Sequence, residues 1–79
     1  MKIEAGEIIK LSDNKEYICF STLQDGGIDY VYLMSNFKPL EIRFGIQRIV
    51  ENEIQIEVIN NLEQKQKVLK LFQENGQIK

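Results

Sequence analysis

Cys19 is the chain's one cysteine and its best nucleophile by residue type, yet it stands between Ile18 and Phe20 in a run of apolar residues. A reactive thiolate needs a neighbouring base or cation to lower its pKa. The chain contains no histidine, so the commonest general base and metal ligand at neutral pH is missing. Cys19 therefore reads as a small buried apolar residue, and metal binding by a cysteine and histidine cluster is ruled out by composition. Asp13-Asn14 and Asp25-Gly26-Gly27-Ile28-Asp29 offer oxygen ligands without the twelve-residue spacing of a calcium loop. Both read as turns. Gly26-Gly27 also lacks the following helix that a phosphate loop requires. The expected inventory is no catalytic residue, no metal and no cofactor.

Two further constellations carry chemistry. Glu53 and Glu57, with Gln55 between them, share one face of an alternating run and are the nearest candidates for a paired carboxylate, although a solvated strand face requires the same pattern. Tyr30, Tyr32, Phe37 and Phe44 lie close in sequence to Lys38, Arg43 and Arg48, and a stacking platform for single-stranded nucleic acid would need such residues together. Against that reading, 10 lysines and arginines face 12 acidic residues, giving a net charge of −2 and a sequence pI near 5.1. Phosphate-driven affinity needs a local basic surface, so nucleic acid is the less favoured partner.

With 79 residues, 43% hydrophobic and 28% charged, the chain has the size and composition of one soluble globular domain. The opening Met1-Lys2-Ile3-Glu4-Ala5-Gly6-Glu7 lacks the apolar stretch of a secretory signal. The lone cysteine suits a reducing compartment. Cytoplasmic localisation and no membrane association are the expectations.

The elements that must position these residues follow from period and turn chemistry. Strands are expected over about 7–12, 16–24, 28–35, 41–50 and 53–59, and a helix over about 61–74. Ser12-Asp13-Asn14-Lys15 favours a tight turn. In the next strand Tyr17, Cys19, Ser21 and Leu23 share one face, while Ile18, Phe20 and Thr22 share the other. Asp25-Gly26-Gly27 accepts positive φ and opens the run in which Tyr30, Tyr32 and Met34 alternate with Val31 and Leu33. Ser35-Asn36-Phe37-Lys38-Pro39 is a loop, because Pro39 lacks an amide donor and biases Lys38 away from helix. A change of phase near Gly45 to Arg48 predicts a bulge or bend. Glu53 to Val58 alternates cleanly, with one apolar and one wet face. Asn60 and Asn61 are both candidate N-caps, and Glu63 three positions after Asn60 would close a capping box; Leu62, Val68, Leu69 and Phe72, widened by Leu71, form the helix's apolar side. Glu63 and Lys67 are spaced for an ion pair, lysines 65, 67 and 70 favour the C-terminal end of the dipole, and Asn75-Gly76 supplies the stop.

The stretch Ala5-Gly6-Glu7-Ile8-Ile9-Lys10-Leu11-Ser12-Asp13-Asn14-Lys15-Glu16-Tyr17-Ile18 resembles small uncharacterised cytosolic proteins of Gram-positive bacteria and their mobile elements. In these a Gly-acid-Ile-Ile strand runs into an Asp-Gly-Lys-Glu-Tyr turn, with Asn14 standing here for that glycine. The likeness continues through Asp25-Gly26-Gly27-Ile28-Asp29-Tyr30-Val31-Tyr32-Leu33 and the end of the helix, Leu69-Lys70-Leu71-Phe72. It implies a β-rich domain with one C-terminal helix and no assigned activity or binding residues.

The expected fold is α+β and mostly β: a five-stranded antiparallel meander, as a curled sheet or SH3-like open barrel, with one C-terminal α-helix. One helix covers one face of a sheet, so the apolar residues on both faces of the two central strands require barrel closure or a partner. The expected function is a non-catalytic protein-interaction module with an unidentified protein partner or a second copy of itself. The alternative is a small single-stranded nucleic-acid-binding barrel using Tyr30, Tyr32 and Phe44 with Lys38, Arg43 and Arg48.

Overall fold

Left-handed backbone sets the strand ends. In the computed structural model, which describes residues 2–75, positive φ occurs at Asn14 (70°), at Gly26 and Gly27 (58° and 78°), and at Glu51 and Asn52 (52° and 67°). Two successive positive-φ residues make a two-residue hairpin turn whose twist suits the strands on either side. Five strands result: β1 (Ile8–Lys10), β2 (Glu16–Asp25), β3 (Ile28–Ser35), β4 (Ile42–Val50) and β5 (Glu53–Val58). Each pairs antiparallel with its predecessor, in the order β1-β2-β3-β4-β5. The meander expected from the sequence is the fold, curled into a half-barrel that stays open between β1 and β5. β1 is shorter than the expected 7–12, because Leu11 leaves the ladder to receive a turn bond: its amide donates to the Lys15 carbonyl at 3.1 Å.

Two details of register differ from the sequence reading. The bulge lies in β2, between Cys19 and Ser21, and β4 is regular throughout. Cys19 stands opposite Leu33 and Ser21 opposite Tyr32, so Phe20 is the extra residue. Tyr17 and Cys19 therefore share the inner face with Thr22, while Ser21 and Leu23 share the outer face with Tyr32 and Tyr30. Strict alternation had put Tyr17, Cys19, Ser21 and Leu23 together. In β4 the apparent change of phase has a simpler cause: Ile49 and Val50 are 54% and 41% exposed, and an exposed strand end imposes no alternation.

The inner face is filled from within the chain. Tyr17, Cys19, Val31 and Leu33 are at most 1% exposed. Ile3, Leu11, Phe37, Ile54, Ile56 and Val58 pack against them. Curling thus closes most of one face without a second chain, which is what a bulge in β2 and a glycine in β4 promote. The segment before β1 plugs the mouth, with the Ile3 amide donating to Gln47 Oε1 at 2.9 Å and the Gly6 amide to the Cys19 carbonyl at 2.8 Å.

The outer face carries α1 (Leu62–Glu74). Its Val68 and Phe72 are buried against Tyr32, Phe44, Ile46 and Ile59, with Leu69 partly covered. Leu62, expected on this apolar side, is 70% exposed because it occupies the first turn. Of the two candidate caps Asn61 serves, in place of a box between Asn60 and Glu63: Asn61 Oδ1 accepts from the Gln64 amide at 2.9 Å, the geometry by which an N-cap satisfies a free donor. Glu63 and Lys67 form no ion pair, and the last turn holds no basic residue. Asn75 is the C-cap; Gly76 lies outside the described residues.

Candidate interaction surface

Tyr32 and Phe44 are 8% and 7% exposed beneath α1. Their rings meet edge-on at 4.9 Å, and each lies 5.8 Å from Phe72. Their faces are thus taken up by packing. Tyr30 is partly buried on the same side. The basic residues do not converge. Arg43 and Arg48 are five positions apart in a regular strand and so point to opposite faces. Arg43 stands level with Leu33 on the inner side and pairs with Glu41 at 2.8 Å, whereas Arg48 pairs with Glu57 at 2.9 Å on the outer side. Lys38 is exposed in the loop between β3 and β4, before the cis Lys38–Pro39 bond. That loop is fastened at its ends. Ser35 Oγ donates to the Phe37 carbonyl at 3.0 Å and accepts from the Glu41 amide at 2.8 Å.

The groups considered for catalysis or ligation do not converge on one site. The Cys19 thiol donates to the Ser21 carbonyl at 3.6 Å, and burial, with Glu7 nearby, pushes its pKa up. That favours a protonated, inert thiol. Glu53, Gln55 and Glu57 lie on the wet outer side of β5, opposite in direction to Ile54, Ile56 and Val58, as the alternation predicts. Asp13 accepts from the Lys15 amide and the Tyr17 hydroxyl, both at 2.9 Å, and Asp29 pairs with Lys2 at 3.1 Å.

What the fold leaves uncovered is an apolar row. Ile8 stands opposite Ile18, Ile18 opposite Met34, and Met34 opposite Ile42, so four strands contribute one residue each to a line across the outer face. Phe20 adjoins it, with its ring 5.2 Å from Tyr32. Ile8, Phe20 and Ile42 are 58%, 52% and 42% exposed. A helix of 13 residues is only about 20 Å long, and α1 spends its apolar side on Tyr32, Phe44 and Ile46. Met34 packs against the edge of that cluster and Ile18 is half-buried, while Ile8, Phe20 and Ile42 stay exposed. Exposed apolar residues aligned in this way are a candidate contact surface.

The sequence showed each of these residues as a strand residue but not their alignment. Two-residue turns can fix register by counting, but the bulge at Phe20 shifts it by one, and no residue type announces that shift. Compared with known proteins, the chain matches no family model, no curated protein and no solved structure.

Proposed function

We propose that this protein is a non-catalytic protein-interaction module that docks a partner through Ile8, Ile18, Phe20, Met34 and Ile42. The observation that supports the reading is the alignment of these residues across four strands while half or nearly half of Ile8, Phe20 and Ile42 stays in water. In so small a domain apolar surface is scarce, and leaving this much outside is consistent with a use for it. The partner presents an apolar face, either a second protein or a second copy of this chain. A buried lone thiol is consistent with work in a reducing, cytoplasmic setting. The nucleic-acid alternative has less support, since Tyr32 and Phe44 are packed under α1 and Lys38, Arg43 and Arg48 are spread over a loop and two faces.

A photo-crosslinking residue placed at Phe20 in the cell should give discrete adducts, and these should disappear when Ile8→Lys and Ile42→Lys are added together. Sedimentation equilibrium then assigns the partner as a second copy or another protein. Absence of adducts, or adducts that survive both lysines, would overturn the proposal.

A further inference from the structure

The open side of the half-barrel is a groove of about 510 Å³ between β1 and β5, whose apolar lining is Ile3, Ile9 and Leu11 on one side and Ile54 and Ile56 on the other, with Glu7 and Lys10 also lining the β1 side. Ile9, Ile54 and Ile56 are only half-buried, against the inner core. Both walls are sheet edges, because neither strand has a second neighbour among the described residues. An edge strand presents backbone donors and acceptors that another strand can take up, and natural sheets guard such edges with brevity, proline, bulges or charged side chains, lysine above all. β1 is guarded by its length of three residues. β5 has six residues, pairs with β4 in unbroken register and contains no proline; its only charges are Glu53 and Glu57, which repel an acidic strand and leave the edge open to a basic one.

We propose that this seam binds an extended peptide as a sixth strand on the β5 edge, and that the peptide alternates apolar and basic side chains. Backbone pairing with β5 fixes the extended form, as in strand addition generally. Side chains level with Ile54, Ile56 and Val58 point into the groove, where Ile9 and Leu11 meet them. Side chains level with Glu53, Gln55 and Glu57 point to the outer side, and cross-strand neighbours of opposite charge are favoured there. Glu57 already has Arg48, but Glu53 has no cationic partner among the described residues. Lys10 stands on the opposite, β1 wall, so charge complementarity with the β5 edge, where the peptide pairs, selects lysine or arginine at the alternate positions. The seam shares only Ile8 with the outer apolar row, whose Ile18, Phe20, Met34 and Ile42 lie outside it, so shifts at those four residues tell the two proposals apart.

The probe is a blocked six-residue peptide alternating valine and lysine, titrated into the ¹⁵N-labelled full chain. Expected are shift changes and slowed amide exchange confined to Glu53–Val58 and Ile8–Lys10. Binding should weaken at least tenfold when the lysines become glutamates, or when the protein carries Glu53→Lys, an exposed substitution that leaves the fold in place. The variant Ile42→Lys should bind the peptide as the native chain does. Four results would overturn the proposal: an unchanged spectrum at millimolar peptide, equal binding of a peptide with its valines and lysines in two blocks, shifts centred on the outer row, or a β5 edge already protected by a second copy before peptide is added.

Discussion

The Tyr17 ring is wholly buried, yet its hydroxyl donates a 2.9 Å hydrogen bond to Oδ2 of Asp13, which lies at the surface. The same carboxylate accepts from the Lys15 amide through Oδ1, so it ties the β1–β2 turn to the inner core. The Lys15 bond, with help from Tyr17, holds the Asp13 carboxyl below its ordinary value of 3.8. Burial first, and then Asp13, push the Tyr17 phenol above its ordinary 10.0.

The signs of the two shifts define a pH window. A lowered carboxyl contributes stability in full above its ordinary value and loses it as pH falls through the folded value; a raised phenol contributes in full below its ordinary value and loses it as pH rises through the folded one. Urea midpoints should therefore be level from about pH 5 to 9 as far as this pair is concerned, and fall on either side. Asp13→Asn should flatten part of the acid limb, and Tyr17→Phe part of the alkaline limb. Native-like limbs in both variants would count against the linkage.

Gly45 sits where the curled sheet leaves no room for a side chain. A Cβ there would lie 2.8 Å from Ile56 Cγ2 and 3.3 Å from both the Glu57 carbonyl oxygen and Val31 Cγ2. Its φ is not positive, so the requirement is for space and not for conformation. Gly45→Ala should cost about 1–3 kcal/mol, the usual penalty of overpacking. Ile56→Ala on the same chain should recover part of that loss by removing the nearest atom, giving a double-mutant coupling of about 0.5 kcal/mol or more. Strict additivity in urea unfolding would show that the crowding is relieved elsewhere.

How far the sequence reaches can be judged from these same residues. The meander follows from Asn14, Gly26-Gly27 and Asn52, whose types accept left-handed backbone, and β5's two faces follow from period alone. Phe20 was invisible as a bulge because a bulge is chosen by the curl of the whole sheet, a tertiary property, whereas the suspected bulge near Gly45 answered a real irregularity with the wrong cause. Asn60 and Asn61 are chemically equal caps; which one serves depends on where Ile59 is pulled into the core, at 3% exposure. The outer row depends on register across three strand pairs, so any single miscount hides it.

Ser35 secures the loop that carries Pro39. Its hydroxyl satisfies the Phe37 carbonyl and the Glu41 amide, and its own amide donates to the Glu41 carbonyl at 2.8 Å. Ser35→Ala leaves two partly buried groups without that partner, at about 1–3 kcal/mol for the pair. Hydrogen exchange should report it locally, through faster exchange of the Glu41 amide while amides in β2 and β5 keep their protection relative to global stability. Uniform acceleration across the sheet would mean that the loop and the sheet open together.

Phe72 and Ile8 separate residues that hold the fold from residues that could serve a partner. Phe72 is fully buried, with Tyr32 and Phe44 each 5.8 Å away, and truncating such a ring to alanine removes about 3–5 kcal/mol. That is comparable with the whole stability a domain of this size can hold, so Phe72→Ala should be largely unfolded at 25 °C by circular dichroism, and Phe72→Leu folded but weakened. Ile8 lies on the edge strand and is 58% exposed, and Ile8→Lys should stay within about 0.5 kcal/mol of the native chain. If Ile8→Lys instead unfolded the protein as Phe72→Ala does, the row would be part of the core's support and not a surface left free for contact.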